Sequence, residues 1–142
     1  MRHIIFVCLL MLPLAFAQAD SAPADSARAN SARQLATITV GEANALIQQH
    51  KQNEQFVILD VRTPDEFAQG HLHNAKLINY RAADFSDQLN ALDKSKTYLI
   101  YCRSGGRSAG ALRMMDQQGF SSVYNMDGGF TEWDQAALPS TR

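Results

Sequence analysis

The chain has 142 residues, of which 46% are hydrophobic, and a formal net charge of -1 at pH 7. This length allows one ordinary domain and excludes two of normal size, and the composition excludes a chain that is disordered throughout. A charge so close to zero gives no reason to expect binding to nucleic acid or to an anionic membrane, so any affinity for anions must come from a local site.

The first residues have the pattern of a secretory signal peptide. Arg2 and His3 precede an apolar stretch over residues 4–16, and residues 17–19 have the small-x-small pattern of a cleavage site. The apolar stretch is shorter than the roughly 20 residues that span a bilayer. We therefore predict a signal peptide over residues 1–19, export after its cleavage, and no stable membrane insertion of the mature chain.

The number of cysteines leaves two interpretations of the remaining thiol. The chain has two cysteines, Cys8 and Cys102, and cleavage would leave only Cys102, so the mature chain could form no internal disulfide. Phe6 and Val7 provide no small residue before Cys8, so we do not expect lipid attachment there. A lone thiol in an oxidising compartment is either buried and inert or kept for its reactivity.

A flexible leader is predicted between the signal peptide and the domain. Residues 20–36 are rich in Ala, Ser, Asp and Arg and show no long apolar periodicity. A short helix is the alternative for this segment, because alanine is frequent there. The folded domain is predicted over residues 37–142.

The domain is predicted to begin with a short strand over residues 37–40. Thr39, followed three residues later by Glu42, forms a capping-box pattern and predicts the start of a helix. The continuous apolar run over residues 56–59 predicts a buried parallel strand, with Asp60 at its C-terminal end.

A second helix start follows at Thr63, where Pro64 suits the first helical position and Glu66 completes a capping box. Residues 76–80 are predicted to form a short third strand. Apolar residues at helical spacing over residues 85–92 predict the next helix.

The second half of the domain continues the alternation of strands and helices. The apolar run over residues 98–101 predicts a central strand, and Cys102 follows it directly. A helix is predicted over residues 108–118, a last strand over residues 122–126 and a terminal helix over residues 130–137. Strands that alternate with helices in this way predict an α/β fold with a mainly parallel sheet.

The segment after the central strand has the chemistry of an anion site. Ligands of open α/β sheets bind at the carboxyl ends of the strands. Gly105 and Gly106 can adopt positive φ, so successive N–H groups can turn inward, and the next helix contributes its positive N-terminal end. Arg103 and Arg107 add two charges. The candidate catalytic residue is Cys102, and the candidate substrate-binding residues are Arg103, Ser104, Gly105, Gly106, Arg107 and Ser108.

These surroundings favour a thiolate at Cys102. The ordinary pKa of a cysteine thiol is about 8.5, and such positive surroundings lower it. The alternative is a structural cysteine beside an ordinary glycine-rich turn, which the combination of two arginines, two glycines and a helix start disfavours. The same donors would attract an anionic substrate and stabilise an anionic leaving group.

The chain resembles single-domain members of the rhodanese family over about residues 37–137. The matching segments occur in the family's order and are Leu59-Asp60-Val61-Arg62, Pro64-Asp65-Glu66-Phe67, Gly70-His71-Leu72, the Cys102 loop, and Asp127-Gly128-Gly129-Phe130 with Trp133. The resemblance implies a five-stranded parallel sheet flanked by helices on both faces. Together with the signal peptide, it favours the bacterial periplasm as the destination.

The resemblance also implies a persulfide mechanism without a cofactor. The Cys102 thiolate would attack the outer sulfur of thiosulfate, sulfite would leave, and a thiophilic acceptor such as cyanide or a thiol would take the sulfur. Related mercaptopyruvate enzymes carry fewer charges after the cysteine, so Arg103 and Arg107 favour thiosulfate as the donor. The runner-up is a persulfide carrier or protein-interaction module with little turnover of its own.

Two other cysteine chemistries are disfavoured. Cysteine phosphatases use Cys-x5-Arg, whereas here the arginine stands at position 107 and Ser108 follows it. A thioredoxin-like oxidoreductase would need a second cysteine to resolve a mixed disulfide.

Residues outside the loop are predicted to have mainly structural or supporting roles. In the family, the positions of Asp60 and Arg62 often brace the loop, and a partly exposed salt bridge of little energetic value is an equal alternative. His71 is predicted to form a structural hydrogen bond, Trp133 to pack in the core or a pocket wall, and Glu66 to cap a helix. No His and Cys cluster has metal-ligand spacing, so no metal is expected.

Overall fold

The computed structural model describes residues 33–142. The predicted signal peptide, Cys8 and residues 20–32 of the predicted leader lie outside the described residues. Within residues 33–142, no helix combines the length and the apolar character needed to cross a membrane.

The described residues form a five-stranded parallel sheet flanked by helices, which confirms the predicted fold class. The sheet strands are β1 (Gln34–Ile38), β2 (Phe56–Asp60), β4 (Lys76–Leu77), β5 (Thr97–Tyr101) and β6 (Ser122–Met126), in the order β1-β6-β5-β2-β4. A separate antiparallel pair joins β3 (His71–Leu72) to β7 (Ser140–Thr141). The helices are α1 (Val40–Gln49), α2 (Pro64–Ala68), α3 (Phe85–Asn90), α4 (Gly106–Gln117) and α5 (Gly129–Gln135).

The central strand β5 divides the core into two clusters. Successive side chains of a strand point to opposite faces, so Tyr98 and Ile100 join one cluster while Leu99 and Tyr101 join the other. The first cluster includes buried residues of α3 and α4, and the second includes residues of α1 and α5. Helices therefore cover both faces, and β5 delivers Cys102 to the carboxyl edge at the middle of the sheet.

Both predicted capping boxes are confirmed. The Thr39 N–H donates to the Glu42 carboxylate over 2.8 Å, and the Glu42 N–H donates back to the Thr39 hydroxyl over 3.3 Å. Thr63 and Glu66 repeat this exchange at the start of α2, with Pro64 as the first helical residue. These local devices set where α1 and α2 begin.

The start of the domain differs from the prediction. Strand β1 begins at Gln34, so residues 34–36, which the sequence pattern assigned to the flexible leader, belong to the sheet. Leu35 packs against the core and pairs with Val123 on β6. Pairing with a distant strand orders this segment, and its own composition does not reveal that partner. Val40, predicted as the end of the strand, is the first residue of α1.

Two further elements differ in extent. The predicted strand over residues 76–80 is regular only at Lys76–Leu77, although the N–H groups of Ile78 and Tyr80 still bond to carbonyl oxygens of Asp60 and Val61. The strand predicted as the last one, Ser122–Met126, has the predicted bounds, but β7 follows it. A strand of two residues has no periodicity that could be recognised in the sequence.

Candidate active site

Cys102 lies directly after β5 and is 1% exposed. The Gly105 N–H donates to the Cys102 sulfur over 3.1 Å, and the Ser108 hydroxyl oxygen lies 3.5 Å from the same sulfur. Gly105 has φ +98°, a left-handed conformation that L side chains rarely adopt, and this turn directs its N–H toward the sulfur. The loop therefore directs hydrogen-bond donors at the thiol, as predicted for Gly105. The prediction of positive φ is wrong for Gly106, which is the first residue of α4 and has a helical conformation.

These donors determine the ionisation of the thiol. Burial raises the pKa of Cys102, but the Ser108 hydroxyl and the N–H groups of Ser108, Ser104 and Gly105 outweigh burial and hold that pKa below its ordinary value. Hydrogen bonds to the charged form favour it. Since the thiolate is the nucleophilic form of cysteine, Cys102 can act as a nucleophile without a histidine base.

Arg107 forms a bidentate ion pair with Glu66. Its two terminal nitrogens lie 2.8 and 2.7 Å from the two carboxylate oxygens of Glu66. The hydrogen bond from Arg107 is the largest influence on the carboxylate, and together with the donors of Thr63 it outweighs burial and lowers the pKa of Glu66 to about 2. The pKa of Arg107 is raised mainly by Glu66 and further by the nearby Cys102 thiolate. Arg107 thus connects the Cys102 loop to the start of α2.

This ion pair gives Glu66 a second function beyond the predicted cap. One oxygen of Glu66 accepts from the N–H and hydroxyl of Thr63, and both oxygens accept from Arg107. The connection to Arg107 is not visible in the sequence pattern, because the two residues are 41 positions apart. The capping-box pattern shows only the local half of the interaction.

The remaining loop residues lie at the surface, and one of them lines a cavity. Arg103, Ser104 and Gly106 are exposed. Arg103 and Glu66 line a cavity of about 430 Å³ that opens beside the loop. Of the two loop arginines, Arg107 is held by a carboxylate, whereas Arg103 forms no salt bridge with any residue of the described range.

The start of α5 is hydrogen-bonded to the backbone of the Cys102 loop. The Phe130 N–H donates to the Cys102 carbonyl oxygen over 2.8 Å, and the Thr131 N–H donates to the Arg103 carbonyl oxygen over 3.0 Å. Gly129 permits this approach, because a Cβ there would lie 2.4 Å from the Cys102 carbonyl oxygen. This explains the second glycine of the pair after β6, whose supporting role is not visible in the sequence pattern.

Asp60 and Arg62 form a buried pair rather than a partly exposed salt bridge. Their side chains are 0% and 4% exposed, and the Arg62 Nη2 lies 2.6 Å from Asp60 Oδ2. Burial opposes the charge of Arg62, but Asp60 outweighs it and raises the pKa of the guanidinium. Arg62 also donates to the Gly70 carbonyl oxygen over 2.6 Å and lies 4.2 Å from the centroid of the Phe130 ring. The guanidinium of Arg62 also lies 5.5 Å from the centroid of the Tyr101 ring, so it contacts residues on two sides of the loop, Phe130 and the neighbour of Cys102.

His71 and Trp133 have structural contacts of the predicted kind. The His71 Nδ1 lies 3.0 Å from the Phe67 carbonyl oxygen, and the two rings stack with their centroids 3.7 Å apart. Trp133 is 2% exposed, and its indole N–H donates to the Pro139 carbonyl oxygen over 3.1 Å. Among residues 33–142, no group of three or more His, Cys, Asp or Glu side chains is arranged to hold a metal ion.

Comparison with known proteins identifies the family. Residues 39–136 match the family model of the Rhodanese-like domain. The putative sulfurtransferase YtwF of Bacillus subtilis is 35% identical over 95 residues, which cover 67% of this chain and 89% of YtwF. The thiosulfate sulfurtransferase GlpE of Vibrio cholerae is 35% identical over 103 residues, which cover 72% of this chain and 91% of GlpE.

A solved structure agrees with these relatives. The crystal structure of a rhodanese-like domain protein from Staphylococcus aureus is 34% identical in sequence, with a TM-score of 0.57. The aligned part covers 68% of this chain and 89% of the Staphylococcus aureus chain. The chain belongs to the rhodanese-like domain family, which confirms the predicted family and fold. The sulfurtransferase relatives support its assignment as a transferase of this family.

Proposed function

We propose that the protein is a thiosulfate sulfurtransferase that carries sulfane sulfur on Cys102 and passes it to a thiophilic acceptor such as cyanide or a thiol. The observation that carries this proposal is the 3.1 Å hydrogen bond from the Gly105 N–H to the Cys102 sulfur, inside a loop whose other donors also lower the pKa of the thiol. A buried sulfur with these donors is suited to hold negative charge before and after it accepts a second sulfur.

The two half-reactions balance without an external oxidant or reductant. The Cys102 thiolate attacks the outer sulfur of thiosulfate, a new S–S bond forms, and the bond to the sulfonate sulfur breaks with its electron pair, so sulfite leaves. Cyanide then attacks the outer sulfur of the persulfide, thiocyanate forms, and the Cys102 thiolate is restored. The inward N–H groups stabilise the anionic sulfur in both states.

The loop arginines support thiosulfate as the donor through different roles. Arg103, exposed beside the 430 Å³ cavity and without a salt bridge among residues 33–142, can attract the dianion and contact departing sulfite. Arg107 is oriented by Glu66 and adds positive potential near the sulfur. The name of the Vibrio cholerae relative, a thiosulfate sulfurtransferase, agrees with this donor.

The proposal places this chemistry outside the cytoplasm. The polar start, apolar stretch and cleavage pattern of residues 1–19 support export, and the bacterial periplasm is the proposed destination. N-terminal sequencing of protein recovered from the periplasm of a bacterial host tests this, with Asp20 expected as the first residue. An uncleaved chain in the cytoplasm would contradict the proposed location.

Steady-state kinetics test the enzymatic proposal. With thiosulfate and cyanide varied together, a covalent intermediate predicts ping-pong kinetics, seen as parallel double-reciprocal lines for thiocyanate formation. Cys102→Ser should abolish turnover, and Arg103→Ala should lower kcat/KM for thiosulfate more than for cyanide. Turnover by Cys102→Ser equal to that of the wild type would contradict the proposal. Persulfide formation without thiocyanate turnover would instead support the carrier.

A further inference from the structure

A second cavity lies on the face of the sheet that is covered by α1 and α5. It has a volume of about 760 Å³. Ile58, Leu72 and Trp133, which line it, belong to the core cluster of α1 and α5, whereas Cys102 belongs to the cluster on the opposite face. No residue of the loop 102–108 lines this cavity. We call it the α1–β2 groove, and it is separate from the candidate active site.

The floor of the α1–β2 groove is apolar. Ile47 from α1 and Phe56 at the start of β2 are half-buried there, beside the buried Ile58, Leu72 and Trp133. Burial of apolar area contributes roughly 25 cal/mol per Å². An apolar group that filled the groove would therefore be stabilised mainly by covering the exposed parts of Ile47 and Phe56, since the other three floor residues are already buried.

The rim of the α1–β2 groove is cationic. Three of the four lysines in the chain line it, namely Lys51, Lys76 and Lys96, and His50 and His73 lie beside them. Glu54 is the one acidic residue along the described lining. None of the three lysines forms a salt bridge with any residue of the described range. This concentration of charge contrasts with the net charge of -1 for the whole chain.

We propose that the α1–β2 groove binds a small amphipathic anion, with an aromatic or aliphatic body on the apolar floor and a carboxylate, sulfonate or phosphate head at the lysine rim. The volume lies within the roughly 300–1,000 Å³ of small-molecule sites. The rim selects the sign of the head group because a cation would be repelled at close range. This site is independent of sulfur transfer at Cys102.

The test uses 8-anilinonaphthalene-1-sulfonate as the probe, because it combines an aromatic body with an anionic head. Trp133 is the only tryptophan of the chain, so its indole N–H gives a single signal from the groove in a ¹⁵N-correlated NMR spectrum. Titration should shift this signal and the backbone signals of Lys51, Phe56 and Lys76. The signals of residues 103–108 should remain in place, and Cys102→Ser should bind the probe equally well.

Charge-reversed variants separate the groove from unspecific charge effects. Lys51→Glu/Lys76→Glu should weaken the affinity for the sulfonate by about tenfold or more. Lys94→Glu/Arg113→Glu changes the net charge equally at positions outside the groove and should bind like the wild type. The uncharged N-phenyl-1-naphthylamine should bind both double variants with equal affinity, since it has no head group for the rim.

Three results would overturn the proposal. The first is a probe that shifts residues 103–108 instead of Trp133. The second is equal affinity of the two double variants for the sulfonate. The third is a set of groove signals that shift with protein concentration alone, since a second copy of the chain would then cover the groove.

Discussion

The N–H of Phe130 donates to the carbonyl oxygen of Cys102 over 2.8 Å, so the first turn of α5 holds the backbone of the residue that bears the candidate nucleophile. This contact requires glycine at position 129. Gly129 has φ +56°, and a Cβ there would lie 2.7 Å from the Arg103 carbonyl oxygen as well as against that of Cys102. The last helix and the Cys102 loop therefore depend on each other for their geometry.

Substitution of Gly129 tests this dependence. Gly129→Ala should lower the free energy of unfolding by about 2 kcal/mol or more, because it combines a left-handed conformation with backbone overlap. It should also slow the formation of the Cys102 persulfide. Gly41→Ala is the matched control, since a Cβ at Gly41 meets no atom within 4 Å. Equal thermal unfolding of the two variants would contradict the supporting role of α5.

The Glu66–Arg107 pair predicts a stability that depends on acid pH. The folded protein lowers the pKa of Glu66 from 4.5 to about 2, so the pair stabilises the fold fully above the unfolded value and loses this contribution as the pH falls through about 2. Wild type should exceed Glu66→Gln by about 1–2 kcal/mol at pH 7, and this difference should shrink below pH 4.5. Urea unfolding at a series of pH values measures the difference.

The neighbouring carboxylate gives the control for this pH series. Asp65 is exposed on the same helix and forms no salt bridge with any described residue, so Asp65→Asn should change stability little at any of these pH values. A constant gap between wild type and Glu66→Gln from pH 7 to pH 2.5 would show that the ion pair with Arg107 does not form in solution.

The hydrogen bond from the Ser108 hydroxyl should affect the pH at which the Cys102 thiol becomes reactive. Alkylation of Cys102 by iodoacetamide should show a pH midpoint below that of an ordinary free thiol, and Ser108→Ala should raise the midpoint because a donor to the thiolate is lost. Ser104→Ala is the control, since Ser104 acts on the thiol through its N–H and its side chain is exposed. A wild-type midpoint at or above that of glutathione would exclude the stabilised thiolate.

The buried Asp60–Arg62 pair predicts a large loss of stability when one partner is removed. Asp60→Asn leaves the Arg62 charge buried without its counter-charge, which should cost about 3–5 kcal/mol. Asp60→Leu/Arg62→Met removes both charges and should recover part of the loss. Asp134→Asn breaks a pair whose side chains are 49% and 66% exposed and should cost at most about 1 kcal/mol. Equal urea midpoints for Asp60→Asn and Asp134→Asn would contradict this account.

The sequence predicts the local features of this fold better than the distant ones. The capping residues Thr39 and Thr63 act within a single helical turn, so their pattern is visible in the sequence. The run over residues 56–59 is apolar because its side chains pack alternately into the core clusters on the two faces of the sheet, and this burial also leaves a direct pattern. The strand before Cys102 is also a buried apolar run, so the central position of Cys102 in the sheet could be predicted in the same way.

The remaining features depend on contacts between distant residues. Glu66 meets Arg107, and His71 pairs with Thr141, only because the fold brings separate segments together. Gly129 appears in the sequence as part of a turn, and its contact with Cys102 depends on where α5 packs. The α1–β2 groove likewise combines lysines from three separate segments, so no local pattern predicts it.

The most direct test of the central claim is the intact mass of the protein after incubation with thiosulfate and removal of the excess. The account predicts a gain of one sulfur atom per chain, mapped by peptide analysis to Cys102, and its loss with stoichiometric thiocyanate on addition of cyanide. Cys102→Ser should show neither step. An unchanged wild-type mass, or a sulfur gained equally by Cys102→Ser, would contradict sulfur transfer through Cys102.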